Sequence, residues 1–354
     1  METIKGLTSI IIGCYNVADW LRKKRLSCIL QQTCKEIEVI LVDDGSTDDT
    51  PILLQTLSVE DSRLRIITQP NGGLGCARNT GLDAARGEYV WFYDVDDEAD
   101  LDLVEKNVKW MSDMETDLNI FSFRATTLET GLSEDVNYKN RLVEDNKTLH
   151  DIFLDELFFV RYGNGFAWNK FYRRSFLNRH HIRFGHQRIQ QDEVFNLQIY
   201  PLIERVYVSE EPLYHYFIYE HGNTRSRYIP HRYDIHVSIY DGITQFAKQW
   251  SVDDKRLQDY VLRRLYRGMS HSILFNTFHP DSPLTPQEKR DEVLGILRHP
   301  KSRECINYRV THPPKSLEQR LYLKAFQHQN YAAIRIMRNL FRSARKFKSI
   351  LNHC

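Results

Sequence analysis

The chain has 354 residues, and its 48 Lys and Arg nearly balance its 47 Asp and Glu, giving a formal net charge of +1. This balance argues against a protein that binds nucleic acid through its overall charge. Hydrophobic residues make up 42% of the chain, and its longest apolar runs have the length of strands rather than of membrane spans. No secretory signal is visible at the start, so we expect a cytoplasmic protein.

The first hundred residues alternate between strand and helix patterns. Short apolar runs predict strands at 8–13, 37–42, 64–68 and 88–93, and helical spacing predicts helices at 17–32, after Thr47, at about 77–85 and at 101–111. Such an alternation favours a mostly parallel α/β sheet, in which ligands bind at the carboxyl ends of the strands. Four acidic residues fall at those ends: Asp43, Asp44, Asp94 and Asp96.

The rest of the chain has two further patterns. Between about 106 and 228 the pattern is mixed, with strands predicted at 118–123, 206–208 and 214–219, and after about 230 it predicts helices only. The last forty residues, 315–354, carry nine Lys and Arg and one acid, interleaved with apolar side chains. A basic amphipathic segment of this kind lies on an anionic membrane surface, packs on a partner protein, or presents a solvated face of a helical cap.

Three carboxylates follow the fourth predicted strand, in Asp94-Val95-Asp96-Asp97. Because like charges this close repel, they require a compensating cation or wide exposure to solvent. Asp94 and Asp96 are suitable ligands for Mg²⁺ or Mn²⁺. The alternative is an acidic first turn of the following helix.

A glycine-rich stretch, Gly72-Gly73-Leu74-Gly75-Cys76-Ala77, lacks the spacing of a dinucleotide-binding motif or of a P-loop. This spacing argues against a dinucleotide cofactor and against P-loop NTPase chemistry. Arg78, one turn into the next helix, is placed to reach a diphosphate or to brace an aspartate, and a surface salt bridge is its alternative.

Four ordered motifs together resemble glycosyltransferase family 2. They cover roughly residues 5 to 100 and are the stretches 10–16, 42–48, 71–81 and 93–97. The similarity continues more loosely through Trp168-Asn169-Lys170, 182–184 and 191–195, and ends near residue 230.

This resemblance implies a GT-A fold, meaning a Rossmann-like α/β sheet flanked by helices, here with an all-α C-terminal extension. Residues 1–105 would form its nucleotide-sugar half, 106–228 its acceptor half, and 229–354 the helical region. It also implies an inverting transferase that uses a nucleotide-sugar, usually UDP-linked, with Mn²⁺ or Mg²⁺. The acceptor would be a hydroxyl of a glycan or lipid-linked glycan. Separately from the resemblance, the basic amphipathic pattern makes 315–354 the candidate for a peripheral contact at the inner face of a bacterial membrane.

Site residues follow from the resemblance position by position. Tyr15 would stack on the base, Asp43 and Asp44 would hold uracil or ribose, and Arg78 would support the nucleotide pocket. Asp94 and Asp96 would bridge nucleotide and metal. Asp192 would be the general base, with Glu193 as the fallback. The family usually has Glu-Asp where this chain has Gln191-Asp192, and outside the family Asp192 would be interpreted as a helix N-cap.

Four further residues are candidate sugar or acceptor contacts: Trp168, Lys170, Gln191 and His215. For the aromatic residues among them, ordinary core packing is the competing interpretation. Two other functions stay open from the residues alone, namely a sugar-phosphate nucleotidyltransferase and a non-catalytic module that binds glycan or nucleotide.

Overall fold

A computed structural model describes residues 3–160, 165–219 and 227–351, with side chains described as far as residue 341. The chain divides into two compact units, Met1–Asn223 and Thr224–Cys354. The boundary predicted between residues 105 and 106 stays a prediction. Residues on both sides of it contribute strands to one sheet.

The described part of the first unit is built on a mixed sheet in the order β3-β2-β1-β4-β9-β6-β10-β5, with β7 beside β6 and β8 beside β10. Its strands are β1 Ile4–Cys14, β2 Ile37–Asp43, β3 Leu64–Thr68, β4 Gly87–Phe92, β5 Glu98–Ala99, β6 Leu118–Thr127, β7 Leu132–Val136, β8 Arg141–Val143, β9 Lys170–Arg173 and β10 Val206–Ile218. Strands β3, β2, β1 and β4 are parallel, as are β6 and β10. Strand β9 is antiparallel to both its neighbours, β4 and β6.

Helices flank this sheet. They are α1 Ala18–Arg22, α2 Ser27–Leu30, α3 Thr50–Glu60, α4 Leu74–Ala84, α5 Leu103–Asp113, α6 Asn146–Ile152, α7 Arg174–Arg179 and α8 Gln191–Ile199, with a π-helical segment at Phe153–Phe158. The predicted sheet with flanking helices, the GT-A-like fold class and the helical C-terminal region are confirmed.

Two predicted elements of the first unit were wrong in detail. The single helix over 17–32 is two short helices, because Lys24 between them adopts a left-handed backbone with φ of 57°. The two strands at 206–208 and 214–219 are one strand, β10, with register shifts on either side of Pro212. Since proline has no N–H to donate to the ladder, it fits a strand interior only at such an irregularity.

All regular elements in the described part of the second unit are helices. It contains α9 Arg232–Gln249, α10 Lys255–His271, α11 Pro286–Arg298, α12 Pro300–Thr311, α13 Leu317–Gln327 and α14 Tyr331–Leu351, with a π-helical segment at Ser272–Asn276. Its core includes Leu265, Val293, Leu297, Phe326 and Ile334. Within the residues that the structure describes, no helix is long and apolar enough to cross a membrane.

The basic C-terminal segment therefore has two kinds of apolar residue. Ile334 is fully buried and Phe341 packs against the helical core, so these two are structural. Ile336 and Leu340 of α14 are 56% and 63% exposed. The apolar residues of this segment at positions 347, 350 and 351 lie outside the described side chains.

Candidate active site

The carboxyl ends of β1 and β2 are joined by their loops. Asn16 has a left-handed backbone conformation with φ of 54°. Its side-chain oxygen accepts a hydrogen bond from the Thr47 N–H at 2.8 Å. The Asn16 N–H in turn donates to the Ser46 hydroxyl at 3.0 Å. Tyr15, beside this junction, is 45% exposed. The predicted base-stacking residue therefore presents its side chain to solvent at this edge of the sheet.

Asp43 and Asp44 are both buried, and their carboxylates shape loops. One Asp44 oxygen accepts hydrogen bonds from Gln69 Nε2 at 2.7 Å and from the Gly72 N–H at 2.9 Å, and the other accepts from the Gly73 N–H at 2.7 Å. Asp43 accepts from the Ser46 N–H at 3.0 Å. The contact that the structure gives Asp44 is thus with the loop before α4, and its contact with a base or ribose stays a prediction.

Helix α4 lies close to its neighbours because of two glycines. A side chain on Gly81 would collide with Ile11 of β1, and a Cβ on Gly75 would lie 2.6 Å from the Gly185 carbonyl oxygen. Real Cβ atoms do not approach that closely, so only glycine permits this packing. The close approach fixes the helix that carries Arg78.

Arg78 is fully buried and joins two carboxylates. Its Nη2 donates to Asp94 Oδ1 at 2.6 Å and its Nη1 to Asp192 Oδ1 at 2.5 Å. Burial by itself lowers the pKa of Arg78, but the charges of Asp192 and Asp94 outweigh it and raise that pKa. The buried guanidinium therefore stays charged, and its planar fork sets the spacing of the two acids. Of the interpretations offered for Arg78, bracing an aspartate is the one observed, and a surface salt bridge is wrong.

Asp192 lies in the first turn of α8. The N-cap of this helix is Gln190, with φ of 59°, so the interpretation of Asp192 as the N-cap is wrong. Its second oxygen, Oδ2, accepts the Ala167 N–H at 3.2 Å, and the side chain is 17% exposed. Because each carboxylate oxygen has two lone pairs, Oδ2 keeps accepting capacity for one further donor.

Acidic residues are in excess around Arg78. Burial raises the pKa of Asp94 despite its contact with Arg78. Burial, with the charge of Asp94 as a second cause, raises the pKa of Asp96 to about 6. In the described part of the chain no other residue donates a hydrogen bond to the Asp96 carboxylate. These are the properties expected of oxygens that face a cation.

Asp97 has a different role, which the sequence did not reveal. Its oxygens accept the Tyr214 hydroxyl at 2.8 Å and the Phe217 N–H at 2.9 Å, and it is almost fully buried. It therefore ties the loop after β4 to β10. Its position beside Asp96 is the only signal in the sequence, and that signal does not separate a ligand from a structural acid.

Lys170 at the start of β9 is fully buried. Its ammonium group donates to the Phe166 carbonyl oxygen at 2.5 Å and to Asn169 Oδ1 at 2.9 Å. Burial lowers its pKa to about 7, and the charge of Asp192 partly opposes this. Lys170 is thus near enough to Asp192 to feel its charge, while its hydrogen bonds go to neutral acceptors.

Trp168 belongs to an aromatic stack inside the protein. Its ring lies parallel to Tyr214 at 4.3 Å between centroids and to Phe166 at 4.5 Å, and it is 1% exposed. The competing prediction of core packing is the one observed for Trp168. Phe166 and Tyr216, whose ring centroids lie 5.4 Å apart, are partly exposed and form the outer part of the stack. The sequence analysis did not identify Phe166 as a partly exposed member of this stack, because nothing in its local sequence separates it from a core aromatic residue.

The structure does not bring His215 to that stack. Successive side chains of a strand point to opposite faces, so His215 faces away from Tyr214 and Tyr216. Its Nε2 lies 2.8 Å from Asp100 Oδ1. Gln191, by contrast, adjoins Asp192. It is buried against Gly75, and its side-chain oxygen has no hydrogen-bond partner among the described residues.

Within the described residues, no three histidine, cysteine, aspartate or glutamate side chains converge as a metal site. Two carboxylates are nevertheless a sufficient protein contribution where substrate phosphate oxygens complete the coordination, as is usual for Mg²⁺. The donor set of Asp94 and Asp96 is half-buried, and one Asp94 oxygen is bound by Arg78. The remaining carboxylate oxygens fit such a shared cation.

Comparisons with known proteins agree with this geometry. The model of the family described as Glycosyl transferase family 2 matches residues 9–195, more than half of the chain. EpsH of Bacillus subtilis, named as a glycosyltransferase, is 31% identical over 263 residues, which are 73% of each chain. EpsJ of the same organism, also named as a glycosyltransferase, is 28% identical over 310 residues, 85% of this chain and 86% of that protein.

Solved structures show the same fold over nearly the whole chain. The crystal structure of S. aureus TarS residues 1–349 in complex with UDP-GlcNAc has a TM-score of 0.58 and 19% identity, and the match covers 96% of this chain and 92% of that one. The buried Arg78 bridge, the acidic loop after β4 and the family match lead to one conclusion. The chain belongs to glycosyl transferase family 2 and is a nucleotide-sugar-dependent glycosyltransferase.

Proposed function

We propose that this enzyme transfers a sugar from a UDP-linked donor, with inversion, to a hydroxyl of a glycan or lipid-linked glycan. The observation that carries the proposal is the bridge from Arg78 to both Asp94 and Asp192. The Arg78 guanidinium holds the Asp94 carboxylate of the acidic loop and the Asp192 carboxylate of α8 at a fixed separation. Donor-side and acceptor-side chemistry therefore have fixed relative positions, as transfer requires.

In this proposal Asp192 is the general base. Its Oδ2 accepts the proton of the acceptor hydroxyl while that oxygen attacks the anomeric carbon. The bond from the anomeric carbon to the diphosphate oxygen breaks on the opposite face, which inverts the configuration. The electron pair of that bond leaves with the nucleoside diphosphate. The hydrogen bond from the Ala167 N–H and the ion pair with Arg78 hold the base in place.

Asp94 and Asp96 would hold Mn²⁺ or Mg²⁺ together with the donor diphosphate. When bound, such an ion offsets the negative charge that develops on the leaving phosphate. Tyr15 and the loop fixed by Asp44 would contact the nucleoside. Support for a UDP donor comes from TarS, which has been crystallised with UDP-GlcNAc and with UDP.

The glycan acceptor is supported by a relative with a named pathway. TuaG of Bacillus subtilis, named for teichuronic acid biosynthesis, is 37% identical over 112 residues, 31% of this chain and 44% of that protein. The match spans less than half of either protein, so it supports the class of acceptor alone. The acceptor therefore has to be identified by experiment with candidate glycans.

Thermal unfolding with ligands tests the donor site. We expect UDP together with Mn²⁺ to raise the melting temperature more than UDP alone, because a ligand that binds only the native state stabilises it by mass action. Asp96→Asn is expected to lose the part of the shift that depends on Mn²⁺. Asp113→Asn, the same change at an exposed acid of α5, is the control and should keep it.

Two results would contradict the donor-site assignment. One is an equal shift with and without Mn²⁺ in the unmodified enzyme. The other is an equal shift with ATP and with UDP, because a site built for uridine should discriminate against adenine.

We further infer that the exposed face of α14 contacts an anionic membrane surface. Ile336 and Leu340 are exposed there beside Arg335, and apolar and basic residues on one helix face suit a lipid headgroup layer. The double variant Ile336→Ser/Leu340→Ser should sediment less with vesicles containing phosphatidylglycerol. Ile52→Ser/Val59→Ser, two exposed apolar residues of α3, is the matched control. An equal loss of sedimentation in both double variants would show that α14 is not the membrane contact.

A further inference from the structure

The helical unit contains a large cavity that the transfer reaction does not use. Its volume is about 1030 Å³, and all its lining residues lie between 227 and 341. Most come from α9, α10, the π-helical segment, α12, α13 and α14, and the rest come from position 227 and from 278–280. A cavity of this size is large enough for a small-molecule ligand.

Positive charge dominates the lining. Six arginines and one glutamate, Glu318, line the cavity, and the arginines are Arg227, Arg232, Arg263, Arg267, Arg309 and Arg338. Arg263 also lies 3.5 Å from Asp259. Among the described lining residues, guanidinium groups therefore outnumber carboxylates six to one. Because the arginines come from several elements, they surround the cavity rather than lie on one solvated helix face.

The remainder of the lining is mainly aromatic and aliphatic. It includes Tyr266, Leu274, Phe275, Phe278, Tyr322 and Phe341. Phe275 is 50% exposed, and its ring lies 5.1 Å from the His271 ring. A site for a bare anion has no use for such a surface.

Two arginines are held where charge and apolar surface meet. The Arg338 guanidinium lies 4.6 Å from the centre of the Phe278 ring and donates to the Leu274 carbonyl oxygen at 2.8 Å. The Arg309 guanidinium lies 5.5 Å from the Tyr266 ring, and its Nε is buried with no acceptor among the described residues. These contacts hold both guanidinium groups at one boundary of an apolar surface.

Two polar side chains of the lining already bond within the protein. The Asn276 amide makes both its hydrogen bonds with the backbone of Ile229, at 2.9 and 2.8 Å. The Ser270 hydroxyl donates to the Tyr266 carbonyl oxygen at 2.8 Å. Asn276 and Ser270 are therefore committed to the fold, and the apolar side chains supply most of the remaining uncharged surface of the lining.

We propose that this cavity binds an amphiphilic phosphate ester, with the phosphate on the arginines and the hydrocarbon chain on the aromatic surface. Arginine donors match phosphate oxygens in geometry, and the apolar surface gains by burial of the chain. The ligand is a free amphiphile or a lipid of the same chemistry presented by a membrane. This inference does not depend on the proposed transfer reaction or on the α14 membrane contact.

The test uses the full chain and decyl phosphate below its micelle concentration, with binding measured by calorimetry. We expect saturable binding that is at least about tenfold tighter than that of inorganic phosphate and of octyl glucoside, since each lacks one half of the recognised chemistry. Saturating UDP should leave it unchanged. Equal binding of inorganic phosphate, of octyl glucoside or of UMP would overturn the proposal, and so would displacement by UDP.

Variants locate the site. Arg263→Gln/Arg267→Gln removes two exposed lining charges from α10 and should weaken decyl phosphate binding about tenfold. Arg290→Gln/Arg298→Gln removes two exposed charges from α11, outside the lining, and is the matched control. Phe275→Ala should weaken decyl phosphate but not inorganic phosphate. An equal effect of the two double variants would overturn the proposal.

The source of the ligand is identified by a vesicle arm. Phosphatidylcholine vesicles with and without phosphatidate are compared by sedimentation, in the Ile336→Ser/Leu340→Ser background so that the α14 face does not contribute. Retention on phosphatidate that the Arg263→Gln/Arg267→Gln change abolishes supports a lipid presented by a membrane. Decyl phosphate binding without vesicle retention supports a free amphiphile, and binding of neither overturns the proposal.

Discussion

Replacing Asp192 by asparagine is expected to reduce kcat for sugar transfer by about 10²- to 10⁴-fold, the usual contribution of a general base. Asparagine has nearly the same shape but does not accept the proton of the acceptor hydroxyl. Binding of the nucleotide-sugar should change little, because the base acts on the acceptor. The measurement is steady-state transfer from UDP-GlcNAc or another UDP-sugar, with donor affinity measured separately by calorimetry.

Glu193→Gln is the comparison variant, since it makes the same chemical change at the adjacent position. It should retain most of the activity. The reverse result, with Glu193→Gln inactive and Asp192→Asn active, would assign the base to Glu193. If neither substitution lowers turnover, a carboxylate of α8 is not the base. A protein that binds donor but has no turnover to lose would be a non-catalytic module.

The second large effect is on stability. Arg78→Gln is expected to lower the free energy of unfolding by about 3–5 kcal/mol, the range found when one partner of a buried ion pair is removed. Asp94 and Asp192 would then face each other without the cation between them. Chemical denaturation followed by circular dichroism measures the loss. Arg124→Gln breaks the exposed pair with Asp135 and should cost less than about 1 kcal/mol.

This loss should depend on pH in a defined direction. Burial raises the pKa of Asp94 above its ordinary value, and loss of Arg78 should raise it further. A carboxyl with a raised pKa in the folded state binds its proton more tightly there than in the unfolded chain. The folded form is therefore favoured as the pH falls, and the deficit of Arg78→Gln should shrink between neutral pH and about pH 4. A constant deficit across that range would mean that Arg78 acts by packing alone.

Sequence patterns were sufficient where local chemistry determines structure. The parallel strands were predictable because continuous apolar runs fit only a sheet buried on both faces. The acidic loop after β4 was predictable because carboxyl ends of parallel strands share one edge. The positions of Asp43, Asp44, Asp94 and Asp96 followed from those two rules together with the order of the motifs.

Local patterns failed where neighbours distant in sequence decide a side chain's role. Trp168 was a candidate sugar contact, but stacking against Tyr214 and Phe166 makes it core. His215 was a candidate for the same surface, but the pleat of β10 directs it to Asp100. Neither outcome is encoded within a few residues of the side chain concerned.

The sequence by itself therefore determined the family, the order of the elements and the edge of the sheet at which the chemistry lies. Only the tertiary structure decided that Arg78 bridges Asp94 and Asp192, residues 16 and 114 positions away along the chain. It likewise assembled six arginines from separate segments around one cavity. The physical reason is that hydrophobic periodicity and turn chemistry act over a few residues, whereas a buried ion pair exists only after distant elements have packed together.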